Sequence, residues 1–272
     1  ASPRIGSFST NFLKLIFGFI FLSVAALLTR GLMFPVDANS KNWIYLILSG
    51  AVGFFIGDYF MLKAYIEIGV RVSMLMMATS PPLTALLEFI LFHEFISLKS
   101  ILGMMLTILG ISIVILSKDV SNEKIKIKYS FKGLLFAFIG AFGQAIGLIL
   151  SKIGIEGLNV FAATQIRIIG GFLSFLIFAI FSGGFYELRN AFKDKKAIGY
   201  TALGAFFGPF IGVSLSLVSL KYITAGISST ITSITPITII PFSIKIFNEK
   251  ISSREVIGAI ISVLGVAILF IN

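Results

Sequence analysis

Four ionisable residues stand inside long apolar runs of this sequence: Lys14, Asp58, Glu88 and Arg167. A charge at the centre of a hydrocarbon layer costs roughly 2.5–3.5 kcal/mol even on forgiving insertion scales, so each is a candidate for function. Asp58 lies about fifteen residues into its run, or about 22 Å by helical rise. It can hold a proton or a cation, or pair with Lys63 or Arg167. Glu88 precedes Glu94 by under two helical turns, close enough to reach an interface or to face a cavity. Arg167 carries a planar fork of N–H donors that fits a carboxylate in two-pronged fashion, or can brace packed helices. Asp58, Glu88 and Arg167 are therefore the candidate coupling or charge-pair residues. Gln144, the lone amide of its run, can hydrogen-bond a ligand.

Pro81 and Pro236 fall at repeat-related positions in the middle of apolar runs. Each removes a backbone hydrogen bond and leaves a carbonyl one turn earlier in need of a partner. In a bilayer that partner is a neighbouring helix, a water or a substrate. Beside Pro236 stand Ser229, Thr232 and Ser233, and beside Pro81 stand Met74, Met77, Thr79 and Ser80. Together with Asp58 and Gln144 these are the expected cavity-lining residues. The methionines suit varied apolar substrates, or fill ordinary core. Glycines recur as Gly50, Gly53 and Gly57, again as Gly204, Gly208 and Gly212, and as Gly140, Gly143 and Gly147. Such stripes let helix backbones approach closely, as static packing or as sliding surfaces. Glu94 and Glu249 close interfacial turns and are expected to lock hairpins.

Other chemistries find no residues. There is no cysteine, which excludes disulfides, thiol nucleophiles and thiolate metal sites. The single histidine, His93, stands beside Glu94 with no recognisable nucleophile, so no enzyme is expected. No phosphate-binding Gly-x4-Gly-Lys-Ser/Thr loop occurs, and neither metal nor cofactor is implied. The net charge of +10 resembles that of a nucleic-acid binder. Its lysines and arginines instead flank apolar runs, as they do at the ends of transmembrane spans.

The elements that must position these residues are membrane helices. Hydrophobic residues make up 57% of the chain, charged residues 12%, and mean hydropathy is +1.03. A soluble surface cannot be made from that composition, so lipid is the solvent. Nine runs are long enough to cross about 30 Å of hydrocarbon. They cover roughly 10–29, 43–64, 72–92, 98–117, 131–151, 160–182, 197–220, 226–247 and 255–271. A shift of 155 residues superposes Gly57 on Gly212, Ser73 on Ser228, Pro81 on Pro236 and Glu94 on Glu249. It also superposes Gly103 on Gly258 and Gly110 on Gly265. The chain is thus read as a first repeat over 1–117, a basic linker over 118–130 and a second repeat over 131–272. The second repeat holds five spans and the first only four. The expectation is an all-α membrane protein of ten helices in an inverted 5+5 repeat, with nine helices here and the first one missing. An odd number of spans per repeat gives the two copies opposite orientations, as in secondary transporters.

The pattern Gly57-Asp58, Ala64, Gly69, Pro81, Glu94, Gly103 and Gly110, recurring as Gly212, Pro236, Glu249, Gly258 and Gly265, resembles the EamA-type drug/metabolite transporters. Arg167, preceded by Asn159 and Gln165, fits the second helix of that family's repeat, where the first copy offers Asn11 and Lys14. The resemblance implies a ten-helix carrier that exports small metabolites such as amino acids by alternating access, from a cavity between the repeats. A passive facilitator is the alternative. Expected partners are a small-molecule substrate, the lipid bilayer and, as coupling ion, the proton, with no nucleic acid; a monomer in the cell membrane is expected. Counted on alternating sides, lysines and arginines number 16 against 5, which places the 118–132 loop in the cytoplasm and Asn272 outside. The family's usual topology places both termini inside.

Overall fold

The computed structural model describes residues 2–93, 97–118, 125–127, 129–182, 184–223, 225–232 and 253–270. Apart from a short antiparallel strand pair, Leu116–Lys118 with Ile125–Ile127, these residues are helical or in short connectors. Seven helical stretches are long and apolar enough to cross a membrane. They are Arg4–Arg30, Ser40–Ile68, Val70–Phe92, Leu98–Ile115, Phe131–Gly154, Val160–Phe181 and Lys195–Leu220. They match the first seven apolar runs. Of the other two, one is described only over Ala225–Thr232, and the last is a helix over Ser253–Phe270.

In chain order the α-helices are α1 (Ser2–Arg30), α2 (Ser40–Gly50), α3 (Asp58–Ile68), α4 (Val70–Met76), α5 (Ser80–Phe92) and α6 (Leu98–Ile115). They continue as α7 (Phe131–Gly154), α8 (Val160–Ser182), α9 (Gly184–Ala191), α10 (Lys195–Ala205), α11 (Val213–Leu220), α12 (Ala225–Thr232) and α13 (Ser253–Phe270). Local chemistry sets their ends. Asn39 and Asn42 form a reciprocal cap at the start of α2, each accepting the other's backbone N–H at 2.9 and 3.0 Å. Gly69 alone separates α3 from α4 at φ +81°, a left-handed value that a side chain would strain. Ahead of Pro81 the helix tightens to a 3₁₀ turn over Met77–Thr79, and the Ser80 N–H is donated to the Met77 carbonyl. The carbonyl released by Pro81 is thus satisfied within its own turn. His93 ends α5 in a left-handed turn at φ 55°.

The 155-residue offset reappears in the element boundaries. Helices α2 (40–50) and α10 (195–205) correspond, as do α6 (98–115) and α13 (253–270). Between α2 and α3 runs a π-helical segment, Ala51–Gly57, and between α10 and α11 another, Phe206–Gly212, at the same offset. Local backbone irregularity this specific arises from matching sequence, here Gly53 and Gly57 in one copy and Gly208 and Gly212 in the other.

Two compact units cut across the sequence repeats. The first comprises residues 1–62 and 146–224. Its core is aromatic: Phe12 and Phe172 lie 4.9 Å apart, Phe55 meets Phe175 edge-on at 4.8 Å, and Phe8 meets Phe175 at 5.6 Å. Contacts run from Phe8–Phe175 through Phe12–Phe172 to Ser23–Gln165, so the repeat-related helices α1 and α8 pack antiparallel. Glycines bring α2 against α8. A methyl group built on Gly50 would fall 1.8 Å from the Arg167 carbonyl oxygen, and one on Gly170 would fall 2.3 Å from that of Ile47.

The second unit comprises 63–145 and 225–272. Its core gathers Ala64, Val72, Leu75, Ile111, Ala137 and Val266. Helices α6 and α13, again repeat-related, cross antiparallel at glycines: Gly110 touches Gly258, Gly265 touches Gly103, and Thr107 bonds the Ser262 carbonyl at 3.4 Å. The offset exchanges the two glycine contacts and maps Thr107 onto Ser262, so a local two-fold passes through that point.

Candidate functional site

The sequence-predicted charges Asp58 and Arg167 both belong to the first unit, and α1 supplies what sequence reasoning had only in part. Asn11 and Lys14 sit three apart on α1, on one face. The Asn11 amide donates to the Phe54 carbonyl at 2.8 Å, and the Lys14 ammonium donates to Asp58. Asp58 is thus paired with Lys14, where the pairings offered by the sequence were Lys63 or Arg167. Lys63 lies in the second unit with its ammonium over the Phe136 ring at 5.7 Å. The Lys14 and Asp58 side chains are four-fifths buried, 19% and 20% exposed.

Arg167 lies beside this pair. Its guanidinium stacks on the Phe54 ring at 4.8 Å, and Asp58 acts on it electrostatically. Gly53 makes the room: a methyl group there would sit 3.4 Å from the Arg167 Nη2. Arg167 is 4% exposed, and among the described residues its Nε–H has no hydrogen-bond partner, nor does the Asn11 Oδ1. Two cations thus share one carboxylate, with one donor and one acceptor left open. Burying such groups without partners costs about 1–3 kcal/mol each. Two residues away on the chain, Gln165 donates to Ser23 at 3.0 Å and to the Met33 carbonyl at 2.8 Å.

Depth follows from helix length. Lys14 is ten residues from Arg4 and Asp58 ten from Ile68, so each lies about 15 Å from one end of its span. Charged contacts elsewhere in the unit cluster at its two ends. Arg4 bonds Asp194 at 2.7 Å at one end. At the other, Lys41 bonds Glu156 at 2.7 Å and Lys221 donates to the Leu158 carbonyl. The Lys41 ammonium lowers the Glu156 carboxyl pKa below its ordinary value. These groupings separate the same residues as the alternating charge count.

The remaining expected lining residues lie in the second unit. Ser80, Pro81 and Glu88 are buried, and Met74, Met77, Thr79 and Gln144 are half-buried. The Tyr65 hydroxyl donates to the Met74 sulfur at 3.7 Å. Ser229 is buried, whereas Thr232 is exposed and bonds the Ser229 carbonyl at 2.8 Å. Ser233, Pro236, Glu94 and Glu249 lie outside the described residues. The glycine stripes divide. Gly50 and Gly53 are packing surfaces, as is Gly147 against Gly53 and Ser49, and Gly57 is buried. Gly204, Gly208 and Gly212 are exposed, and among the described residues a methyl group on either of the first two would meet nothing within 4 Å. Spacing alone cannot say which face of a helix meets another.

Sequence reasoning missed a second buried ion pair. Arg71 bonds Glu255 at 2.7 Å, and the Tyr129 hydroxyl donates to the same carboxylate at 2.8 Å. Both charges stand at span ends and read there as ordinary interfacial residues.

With this geometry established, comparisons with known proteins are informative. The model of the EamA-like transporter family matches residues 1–116 and 131–271. The chain is 24% identical over 182 residues to "Uncharacterized transporter YetK" of Bacillus subtilis (strain 168), a match covering 66% of this chain and 54% of that one. It is 24% identical over 274 residues to an "Uncharacterized transporter" of Archaeoglobus fulgidus, covering 98% of this chain and 89% of the relative. A solved protein crystal structure aligns with TM-score 0.63 at 14% identity, covering 97% of this chain and 87% of that one. At that identity it shows the shared fold alone.

Proposed function

The chain belongs to the EamA-like transporter family and is a multi-pass membrane protein, and on that premise we propose that it is a secondary transporter of small carboxylate-bearing metabolites such as amino acids. It works as an exporter in the cell membrane. Two five-helix repeats of opposite orientation, over 1–117 and 131–272, alternate the access of a shared substrate cavity. The matching helix boundaries at an offset of 155 and the antiparallel packing of α1 with α8 and of α6 with α13 support that arrangement.

The observation that carries the proposal is the Lys14–Asp58–Arg167 cluster at mid-span, with two cations, one anion and open hydrogen-bonding groups on Arg167 and Asn11. An anionic group balances the charge and takes the Arg167 N–H. An ammonium finds the Asn11 carbonyl oxygen and the Asp58 carboxylate. Protonation of Asp58 frees Lys14, which couples the cycle to the proton gradient; Glu88, buried on α5, is the second candidate for that role. Rebinding of one ligand class at a protonatable pair makes transport saturable and pH-dependent. Flux of labelled amino acids into proteoliposomes, compared between the native protein and Arg167→Gln, tests the proposal. Native flux that the substitution abolishes supports it, and equal flux by both proteins removes Arg167 from the site.

A further inference from the structure

At one end of the first unit a cavity of about 760 Å³ is lined by Arg4, Ile5, Gly6, Asn190, Ala191, Lys193, Asp194, Lys195 and Lys196. Its charges are unequal: four cations face one carboxylate. That carboxylate is engaged, accepting from Arg4 at 2.7 Å and from the Ala197 N–H at 3.0 Å as the cap of α10. Lys193, Lys195 and Lys196 are exposed around the cavity. The transport chemistry above uses none of these residues.

The cavity's position identifies its ligand. The Arg4–Asp194 bond brings together the start of the Arg4–Arg30 span and the start of the Lys195–Leu220 span. Both enter the bilayer there, so the cavity lies at headgroup level. Helix α9, eight residues and about 12 Å long, is too short to cross and packs on α1 along that boundary. Large apolar groups stand near the lysines along the chain: Tyr200 and Leu203, five and eight residues into the span from Lys195, are 61% and 58% exposed, and Phe192, next to Lys193, is 56% exposed. Aromatic and aliphatic groups below a basic rim match acyl chains below an anionic headgroup.

We propose that this cavity binds the phosphodiester headgroup of an anionic glycerophospholipid, with Lys193, Lys195 and Lys196 as its counter-charges. The Arg4 guanidinium is engaged by Asp194 and is not itself the anion site. Each lysine near such a surface contributes about a five-fold preference for anionic lipid, so the three together set a preference that screening reduces but does not erase.

The test uses the whole protein carrying Phe192→Trp as reporter, in vesicles of phosphatidylcholine and phosphatidylglycerol in which one lipid at a time bears brominated chains. Trp43, the single native tryptophan, is measured alone in the unsubstituted protein and subtracted. The expected result is quenching that corresponds to a five-fold or greater preference for phosphatidylglycerol. It falls close to unity in Lys193→Gln/Lys195→Gln/Lys196→Gln and survives in the corresponding triple arginine variant, which controls for folding. Equal quenching by both lipids, or a preference that the glutamine variant keeps, overturns the proposal. Loss of the preference on adding millimolar inorganic phosphate also overturns it, because the ligand is then a soluble anion.

Discussion

Substituting alanine at Gly50 perturbs the contact on which the first unit depends. The new methyl would sit 1.8 Å from the Arg167 carbonyl oxygen, 2.7 Å from its carbonyl carbon and 2.9 Å from the Gly171 nitrogen. All three are backbone atoms, so no rotamer change relieves the clash. To reach even 3.0 Å, the closest approach real Cβ atoms make, α2 and α8 must separate by about 1.2 Å locally. Overpacking of this kind costs about 1–3 kcal/mol, or a fall in Tm of roughly 3–10 °C for a domain of this size. The shift also carries Arg167 away from the Phe54 ring. The control is Gly204→Ala, which meets nothing within 4 Å and gains helix propensity, so its Tm stays level or rises slightly. Thermal unfolding in detergent, followed by loss of the monodisperse chromatographic peak, reads both. Equal Tm values for the two variants would refute the close-packed account of α2 and α8.

Other consequences follow from the ion pairs. Asp58→Asn leaves both Lys14 and Arg167 without their shared carboxylate at mid-span, whereas Lys14→Met/Asp58→Leu leaves only Arg167 so. The single variant should be the less stable by about 2–3 kcal/mol, and thermal unfolding of the three proteins ranks them. In the second unit Glu255→Gln removes the carboxylate that Arg71 and Tyr129 bond and should destabilise by about 3 kcal/mol, with Tyr129→Phe costing about 1 kcal/mol; the same assay separates them. The Arg4 guanidinium and the Ala197 N–H hold the Asp194 carboxyl below its ordinary 3.8. Its contribution to stability is therefore complete above about 4 and is lost as pH falls through the lowered value. A carboxyl-carbon NMR titration should find the Asp194 midpoint below 3.8 and moved upward in Arg4→Gln.

Much of this fold was legible because its determinants are local. Apolar length located seven spans, and a 155-residue offset found in single residues such as Pro81 and Gly103 returned in helix boundaries and in the paired π-helical segments. Asp58 and Arg167 stood out because charge inside an apolar run is expensive wherever the chain folds. What the sequence hid was pairing. Lys14 bonds Asp58 across 44 residues, and Arg71 bonds Glu255 across 184. No periodicity encodes such contacts. Gly50 and Gly204 share a spacing pattern, yet only Gly50 meets another helix, because each stripe's use depends on what the tertiary fold places opposite. The composition of the compact units, each drawing on both repeats, is likewise a property of packing and not of sequence order.

The central claim is carrier activity resting on the mid-span cluster. The measurement that tests it most directly is uptake of labelled amino acids by proteoliposomes of the full-length protein, with and without an imposed pH gradient, beside Asp58→Asn. Saturable, competable uptake that the gradient drives above equilibrium, and that Asp58→Asn uncouples from pH, is the result expected. Uptake that never exceeds equilibrium, or a pH dependence unchanged in Asp58→Asn, would contradict the account.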